Sequence, residues 1–127
     1  MRRGFTMIEL VFVIVVIGIL SAIAIPKFAI TRNDAIVTKA KTTVGALRSA
    51  ISMERQKRIL RGDFSDINIS TAVGLLEYGL DNTRWATNNA NDTLTFTAPD
   101  GNTCVFKLQN NKLTKQAGCA VPGLNDL

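Results

Sequence analysis

The sequence contains no histidine, only two cysteines and only three prolines. Histidine is the usual acid–base catalyst near neutral pH and the commonest metal ligand, so its absence argues against an enzyme and a transition-metal centre. A calcium-binding loop has several acidic residues at short, regular spacing. Asp92, Asp100 and Asp126 are scattered and do not form such a loop. We therefore expect no catalytic residues, no cofactor and no metal.

Charge and length set further limits. The chain has 127 residues and a formal net charge of +5, from 15 basic and 10 acidic residues. This length is typical of one domain, and so modest a basic excess does not by itself indicate nucleic-acid binding.

One long apolar run dominates the N-terminus. No charge occurs from Leu10 to Ile25, and Phe5 to Ile25 would span about 30 Å as a helix, which matches a bilayer core. A secretory signal cut after Ala24 and a plain signal anchor are the alternatives. Neither alternative accounts for Glu9, because a carboxylate in a membrane helix is costly. Cleavage after Ala24 would also make Pro26 the second residue of the product, which is an unfavourable site for a signal peptidase.

The segment Gly4-Phe5-Thr6-Met7-Ile8-Glu9-Leu10, followed by the apolar run, resembles the N-terminus of type IV pilins and pseudopilins. The resemblance covers about the first thirty residues. It implies that a prepilin peptidase removes the leader 1–4 by cutting between Gly4 and Phe5, and methylates the new Phe5 amine. It also implies an assembly role for Glu9, whose carboxylate would pair with the Phe5 amine of an adjacent subunit or of its own chain.

The resemblance further implies a filament. Residues 5–26 would form a helix that first crosses the membrane and later lies in the filament core, and that kinks or melts around Gly18 and Pro26. The alternatives are that Gly18 is an ordinary glycine of a membrane helix and that Pro26 only kinks the helix. The subunit would cross the inner membrane once before assembly, and would then join a homo-oligomeric cell-surface or periplasmic filament through an inner-membrane assembly platform and its ATPase. A pseudopilin of type II secretion or competence is the alternative function, and a small exported binding domain the second.

The globular head would comprise residues 27–127. Apolar residues spaced by three and four predict an amphipathic helix over 27–61, and Gly62 is predicted to end it. The apolar stripe consists of Val37, Ala40, Val44, Leu47 and Ile51, and Ala50 and Met53 broaden it. Arg48 is assigned to the polar face. The basic cluster 55–61 is interpreted as a solvated helix end, with acidic neighbours or DNA as the alternative partner.

Residues 63–92 are predicted to be a linker. Ser70 is a candidate cap for a short helix over 71–77. The pattern Asp66-Ile67-Asn68-Ile69-Ser70 makes Asn68 a weak candidate for N-glycosylation, because such matches are frequent by chance.

Apolar and polar residues alternate within 93–119, which predicts a small antiparallel sheet of three to four strands. Residues 120–127 are predicted to form a tail. Turns are predicted at Pro99-Asp100-Gly101 and at Asn110-Asn111. Cys104 and Cys119 predict one disulfide in an exported chain, with two buried thiols as the alternative. Strand pattern and family resemblance together predict an α+β fold, in which the C-terminal half of one long helix packs against the sheet.

Overall fold

The structure, a computed structural model, describes residues 3–127, and for residue 29 the backbone alone. Residues 1 and 2 of the predicted leader lie outside this range. The chain divides into two compact units, one ending at Asp34 and the other comprising Ala35–Leu127. One helix, α1 (Met7–Leu60), contributes to both.

In the first unit, α1 contains the apolar run. Its large apolar side chains from Met7 to Ile25 are exposed in the single chain. By length and composition, α1 is the one helix of the described residues able to cross a membrane, a test that a signal sequence also passes.

In the second unit, α1 contributes one side to the core. Ala40, Val44, Leu47 and Ile51 are buried, as their spacing predicts. The helix ends where Gly62 adopts a φ of +78°. Gly62 N donates to Ile59 O, and Asp63 N donates to Arg58 O, both at 2.9 Å. This pair of bonds is a Schellman motif, so the predicted glycine stop is confirmed.

Four strands form one antiparallel sheet in the order β1-β2-β3-β4. They are β1 (Trp85–Asn88), β2 (Thr93–Thr97), β3 (Thr103–Gln109) and β4 (Lys112–Lys115). The α+β class and the small meander are thereby confirmed. The predicted turns also occur, with Gly101 at φ +87° and with Asn110 and Asn111 at φ +52° and +61°.

Strand β1 lies within the stretch predicted as linker, which corrects that prediction. Its four residues contain one large apolar side chain, too few to show alternation. The strand exists because it pairs along its length with β2, with Trp85 opposite Phe96. The two rings lie 4.9 Å apart, and Phe106 lies 6.3 Å from Trp85, so tertiary packing decides the structure here.

The short helix α2 (Ile69–Gly74) begins and ends earlier than predicted. Asn68 is its N-cap in place of Ser70, because Asn68 Oδ1 accepts from Thr71 N at 2.9 Å. This start allows Ile69 and Ala72 to reach the core.

Two predictions about α1 side chains are wrong. Met53 is 58% exposed and lies outside the apolar stripe. Arg48 is half-buried, and its guanidinium donates to the backbone oxygens of Leu113 and Leu127. Its side chain therefore binds the strand and the tail, which the polar character of Arg48 alone did not indicate.

The C-terminal tail belongs to the core. Val121 and Leu124 are fully buried. At Gly123, with φ +87°, an added Cβ would lie 3.2 Å from Val37 Cγ1, so this turn needs glycine for its backbone and its close approach to α1.

Candidate assembly segment

The predicted cleavage site lies in non-helical chain. Residues 3–6 precede α1 without regular structure, and Gly4 and Phe5 are exposed. The Phe5 side chain is 89% exposed. A peptidase that reads extended backbone would therefore find the bond between Gly4 and Phe5 accessible in this chain.

Thr6 and Glu9 form a capping box at the start of α1. Glu9 Oε2 accepts from Thr6 N at 2.8 Å and from Thr6 Oγ1 at 2.9 Å. Glu9 N donates back to Thr6 Oγ1 at 3.3 Å. The reciprocal bonds satisfy backbone donors that a helix N-terminus leaves free.

This capping role was missed in the sequence. Its signal, Thr-x-x-Glu directly before an apolar run, is present at residues 6–9. The carboxylate assigned to assembly is thus held beside the residue after Phe5. That position is compatible with a bond to the Phe5 amine once the leader is removed.

The apolar surface behind Glu9 extends for several helical turns. It includes Phe12, Ile14, Ile17, Ile19, Leu20 and Ile23, each more than half exposed. So large an apolar surface in one chain indicates an environment of lipid or of other helices. Apolar side chains cover the whole circumference of the helix, as expected of a segment that lipid or other helices surround on every side.

The predicted kink or melt near Gly18 and Pro26 has no counterpart in the single chain, where α1 is continuous through both residues. Pro26 nevertheless has no N–H to donate to the carbonyl of Ala22, so the helix lacks one bond there. Loosening on assembly stays a prediction, since it concerns the packed filament.

In the head, Cys104 and Cys119 form the predicted disulfide. Cys104 is fully buried in β3, and Ala120 N donates to Thr103 O at 3.2 Å. The bridge and this bond attach the start of the tail to the sheet.

Asn68 is exposed, but its carboxamide oxygen is used in capping α2 and accepts from Ser70 Oγ as well. Its neighbours Ile67 and Ile69 are buried. Glycosylation of Asn68 stays a prediction.

The acids considered for calcium are engaged separately. Asp92 accepts from Ile69 N, Asp100 from Asn102 N, and Asp126 from Lys41 Nζ. Within residues 3–127, no three acids, cysteines or histidines converge on a point that a metal would occupy.

Part of the basic cluster folds back onto the chain. Arg55 donates to Ser65 O, while Arg58 binds Glu54, Ser65 Oγ and Asp66 O. These bonds hold the loop after α1 against the helix end. Lys57 and Arg61 remain exposed.

Comparison with known proteins gives one family match and several relatives. Residues 1–25 match the family model for the prokaryotic N-terminal methylation motif. The chain is 47% identical over 51 residues to the type IV narrow pilus major component PilA5 of Thermus thermophilus. It is 46% identical over 55 residues to a fimbrial protein of Moraxella nonliquefaciens, and 50% identical over 49 residues to the type IV major pilin protein PilA of Myxococcus xanthus.

The matched part is limited in extent. It covers 40%, 43% and 39% of this chain, and 44%, 36% and 22% of those three relatives, respectively. The chain therefore matches less than half the length of each relative. No solved structure matches the chain.

Proposed function

We propose that this chain is a member of the type IV pilin family and a structural subunit of a type IV pilus-like filament. One observation carries the proposal: an accessible Gly4–Phe5 bond directly precedes an acid-capped helix whose apolar surface is exposed in the single chain. The methylation motif and the relatives agree with it.

The proposed sequence of events begins in the membrane. The apolar part of α1 holds the precursor in the inner membrane, and a prepilin peptidase removes residues 1–4. Hydrolysis leaves a free amine on Phe5, which attacks the methyl carbon of a sulfonium donor held by the same enzyme. The donor leaves as a thioether, and the amine gives up one proton. The amine stays cationic after one methylation, so the charge that Glu9 needs is retained.

Glu9 then sets the position of one subunit on the next. A carboxylate enclosed by helices needs a cationic partner or a proton, and the Phe5 amine of a neighbour supplies the charge. Such a pair selects register more than it adds stability, because desolvation offsets much of the attraction. Removing Glu9 alone would leave a buried ammonium without a partner.

The apolar helix supplies the packing. Lipid already surrounds its surface before assembly, so moving it into a helix bundle gains little hydrophobic energy. Close packing, the Glu9 pair and the work of an ATP-driven platform must therefore drive extraction. Contacts that join different surfaces of identical subunits do not close on themselves, and so generate a filament.

A pilus is favoured over a type II secretion pseudopilin. The relatives reported above are named as major pilus or fimbrial proteins, and the head has a C-terminal disulfide, which is frequent among pilins and often absent from pseudopilins. We accordingly place the assembled form at the cell surface.

The test is complementation of a bacterium that has a pilus machine but lacks its own major pilin. Expression of this chain should restore fibres that are recovered by shearing and contain the chain. Gly4→Val should abolish them, because it blocks the peptidase; a Cβ at Gly4 meets nothing within 4 Å, so the fold is unaffected.

Gly45→Ala is the matched control. It is also a glycine substitution with open space around the new Cβ, but it lies outside the cleavage motif. It should be cleaved like the wild type. Correctly processed wild-type chain that yields no sheared fibre in this host would contradict the pilus function.

A further inference from the structure

A turn in the loop between α2 and β1 presents two side chains to solvent. Gly79 N donates to Leu76 O at 3.2 Å, which closes a turn with Glu77 and Tyr78 at its centre. Leu76 and Leu80, on either side, pack against the core. Tyr78 is 94% exposed, more than any other large apolar side chain described. We call Glu77 and Tyr78 the acidic knob.

The exposed Tyr78 stands on an anchored turn. The flanking leucines fix the turn, so its central side chains lose little further freedom on binding. Tyrosine supplies a large, rigid contact area at low entropic cost, and is enriched in interfaces for that reason.

The head also has a groove of about 580 Å³ between the end of α1 and the β3–β4 turn. We call it the basic groove. Its lining includes Ile51 and Leu113, with the cations Arg48, Arg55 and Lys112, and it contains no acidic residue. No residue of the acidic knob lines it.

The cations of the groove differ in their freedom. Arg48 and Arg55 are held in place by bonds to backbone oxygens, which leaves their planar faces as stacking surfaces for an aromatic ring. Lys112 is exposed at the sheet edge, and its ammonium makes no hydrogen bond or ion pair within residues 3–127. The Glu77 carboxylate is unpaired in that range as well.

We propose that the acidic knob of one subunit docks in the basic groove of a second copy of this chain. Tyr78 enters over the arginine faces, and Glu77 pairs with Lys112. The two surfaces share no residue, so the contact is heterologous and repeats from subunit to subunit. The inference rests on the proposed filament and adds a contact between heads to the one between helices.

The test reverses each charge and then both in the full chain, in the complementation host. Glu77→Lys or Lys112→Glu places like charges together, and should lower the sheared-filament fraction by about tenfold. Glu77→Lys/Lys112→Glu restores opposite charges, and should return that fraction to within about threefold of the wild type.

Lys57→Glu is the matched control, since it makes the same charge change at an exposed site outside the groove. It should leave the filament fraction unchanged. Trp85 fluorescence and protease resistance of the detergent-extracted subunit verify that each variant is folded.

Two results would overturn the proposal: single variants with wild-type filament levels, or a double variant that is not restored. Either leaves the filament function intact, because wild-type fibres are present. Wild-type chain that is processed but forms no fibre would overturn the filament function and the docking together.

Discussion

Glu9 Oε2 lies 2.8 Å from the backbone nitrogen of Thr6, the second residue after the proposed cleavage site. The acid is therefore both a helix cap within its chain and the proposed partner of a neighbour's amine. These two roles make different demands on the side chain. A cap needs only an acceptor, whereas the amine needs a negative charge.

Glu9→Gln separates the two roles. Glutamine also completes a capping box, so the helix start and cleavage should be retained. The charge is lost, so assembly should fail and processed subunit should accumulate in the membrane. Immunoblots of membrane and sheared fractions provide the measurement. Wild-type filament yield from Glu9→Gln would show that charge pairing is not required.

Thr6→Ala tests the cap in the opposite sense. Loss of a threonine N-cap costs about 0.5–2 kcal/mol of helix stability, while the charge of Glu9 is kept. We expect fraying of the first turn, seen as faster amide exchange at Glu9 and Leu10, whose N–H groups donate to Thr6 Oγ1 and Thr6 O, with a smaller loss of filaments than for Glu9→Gln. Thr6→Ser retains the hydroxyl and should resemble the wild type. Filament loss as severe as for Glu9→Gln would mean that the cap itself is essential.

The core at Phe96 can be tested against an exposed phenylalanine. Phe96 is 1% exposed and packs on Trp85, so Phe96→Ala should lower the free energy of unfolding by about 3–5 kcal/mol. Phe64 is 69% exposed, and Phe64→Ala should change the free energy of unfolding by less than about 0.5 kcal/mol. Denaturant unfolding of the full chain in mild detergent, followed by the single tryptophan, measures both. Equal effects would contradict the described core.

The disulfide is expected to stabilise the head without being the sole attachment of the tail. The linked cysteines are 15 residues apart, so Cys104→Ala/Cys119→Ala should cost about 3 kcal/mol through the entropy of the unfolded chain. The variant should still fold in mild conditions, because Val121 and Leu124 remain buried. Limited proteolysis and unfolding curves check both points; a tail cleaved as fast as an unfolded peptide would contradict the second.

Stability of the head should fall at acidic pH. The hydrogen bond from Lys41, 3.0 Å away, lowers the pKa of Asp126 below its ordinary value of 3.8. Hydrogen bonds within their own turns likewise lower the pKa of Asp63 and of Asp81. A lowered carboxyl pKa stabilises the fold above the unfolded pKa, and this contribution is lost as the pH falls through the folded pKa.

Asp126→Asn should therefore lower the unfolding midpoint at neutral pH, and the difference from the wild type should vanish once the pH has fallen below the lowered pKa of Asp126 in the folded chain. Lys41→Gln should give the same loss, and the double variant should show no further loss from this pair. The pair is exposed, so the effect will be small. A difference that persists at low pH would contradict the ion pair as its cause.

The elements that could be predicted from the sequence are those in which the spacing of apolar residues shows which face is buried. Leu94 and Phe96 alternate with threonines, and Cys104, Phe106 and Leu108 share one face, so β2 and β3 follow from period alone. The glycine at 62 and the Asn110-Asn111 turn follow from backbone conformations that few residues tolerate. The N-terminal segment followed from its motif.

The remaining features depend on tertiary contacts. Strand β1 has one large apolar residue, Trp85, and pairs because Phe96 lies opposite. Arg48 is polar, but it is half-buried because two backbone oxygens accept its bonds. Val121 and Leu124 are too close to the terminus for any period to appear. The Thr6–Glu9 cap, by contrast, needs no tertiary contact, because the Thr-x-x-Glu spacing before an apolar run already indicates it.

The most direct test of the central claim is the intact mass of the processed protein, with fragmentation of its N-terminus. The filament account predicts a chain that starts at Phe5 and carries one added methyl group on its amine. A mature chain that starts at Ile25, or one that keeps Met1, would contradict pilin-type processing and with it the filament.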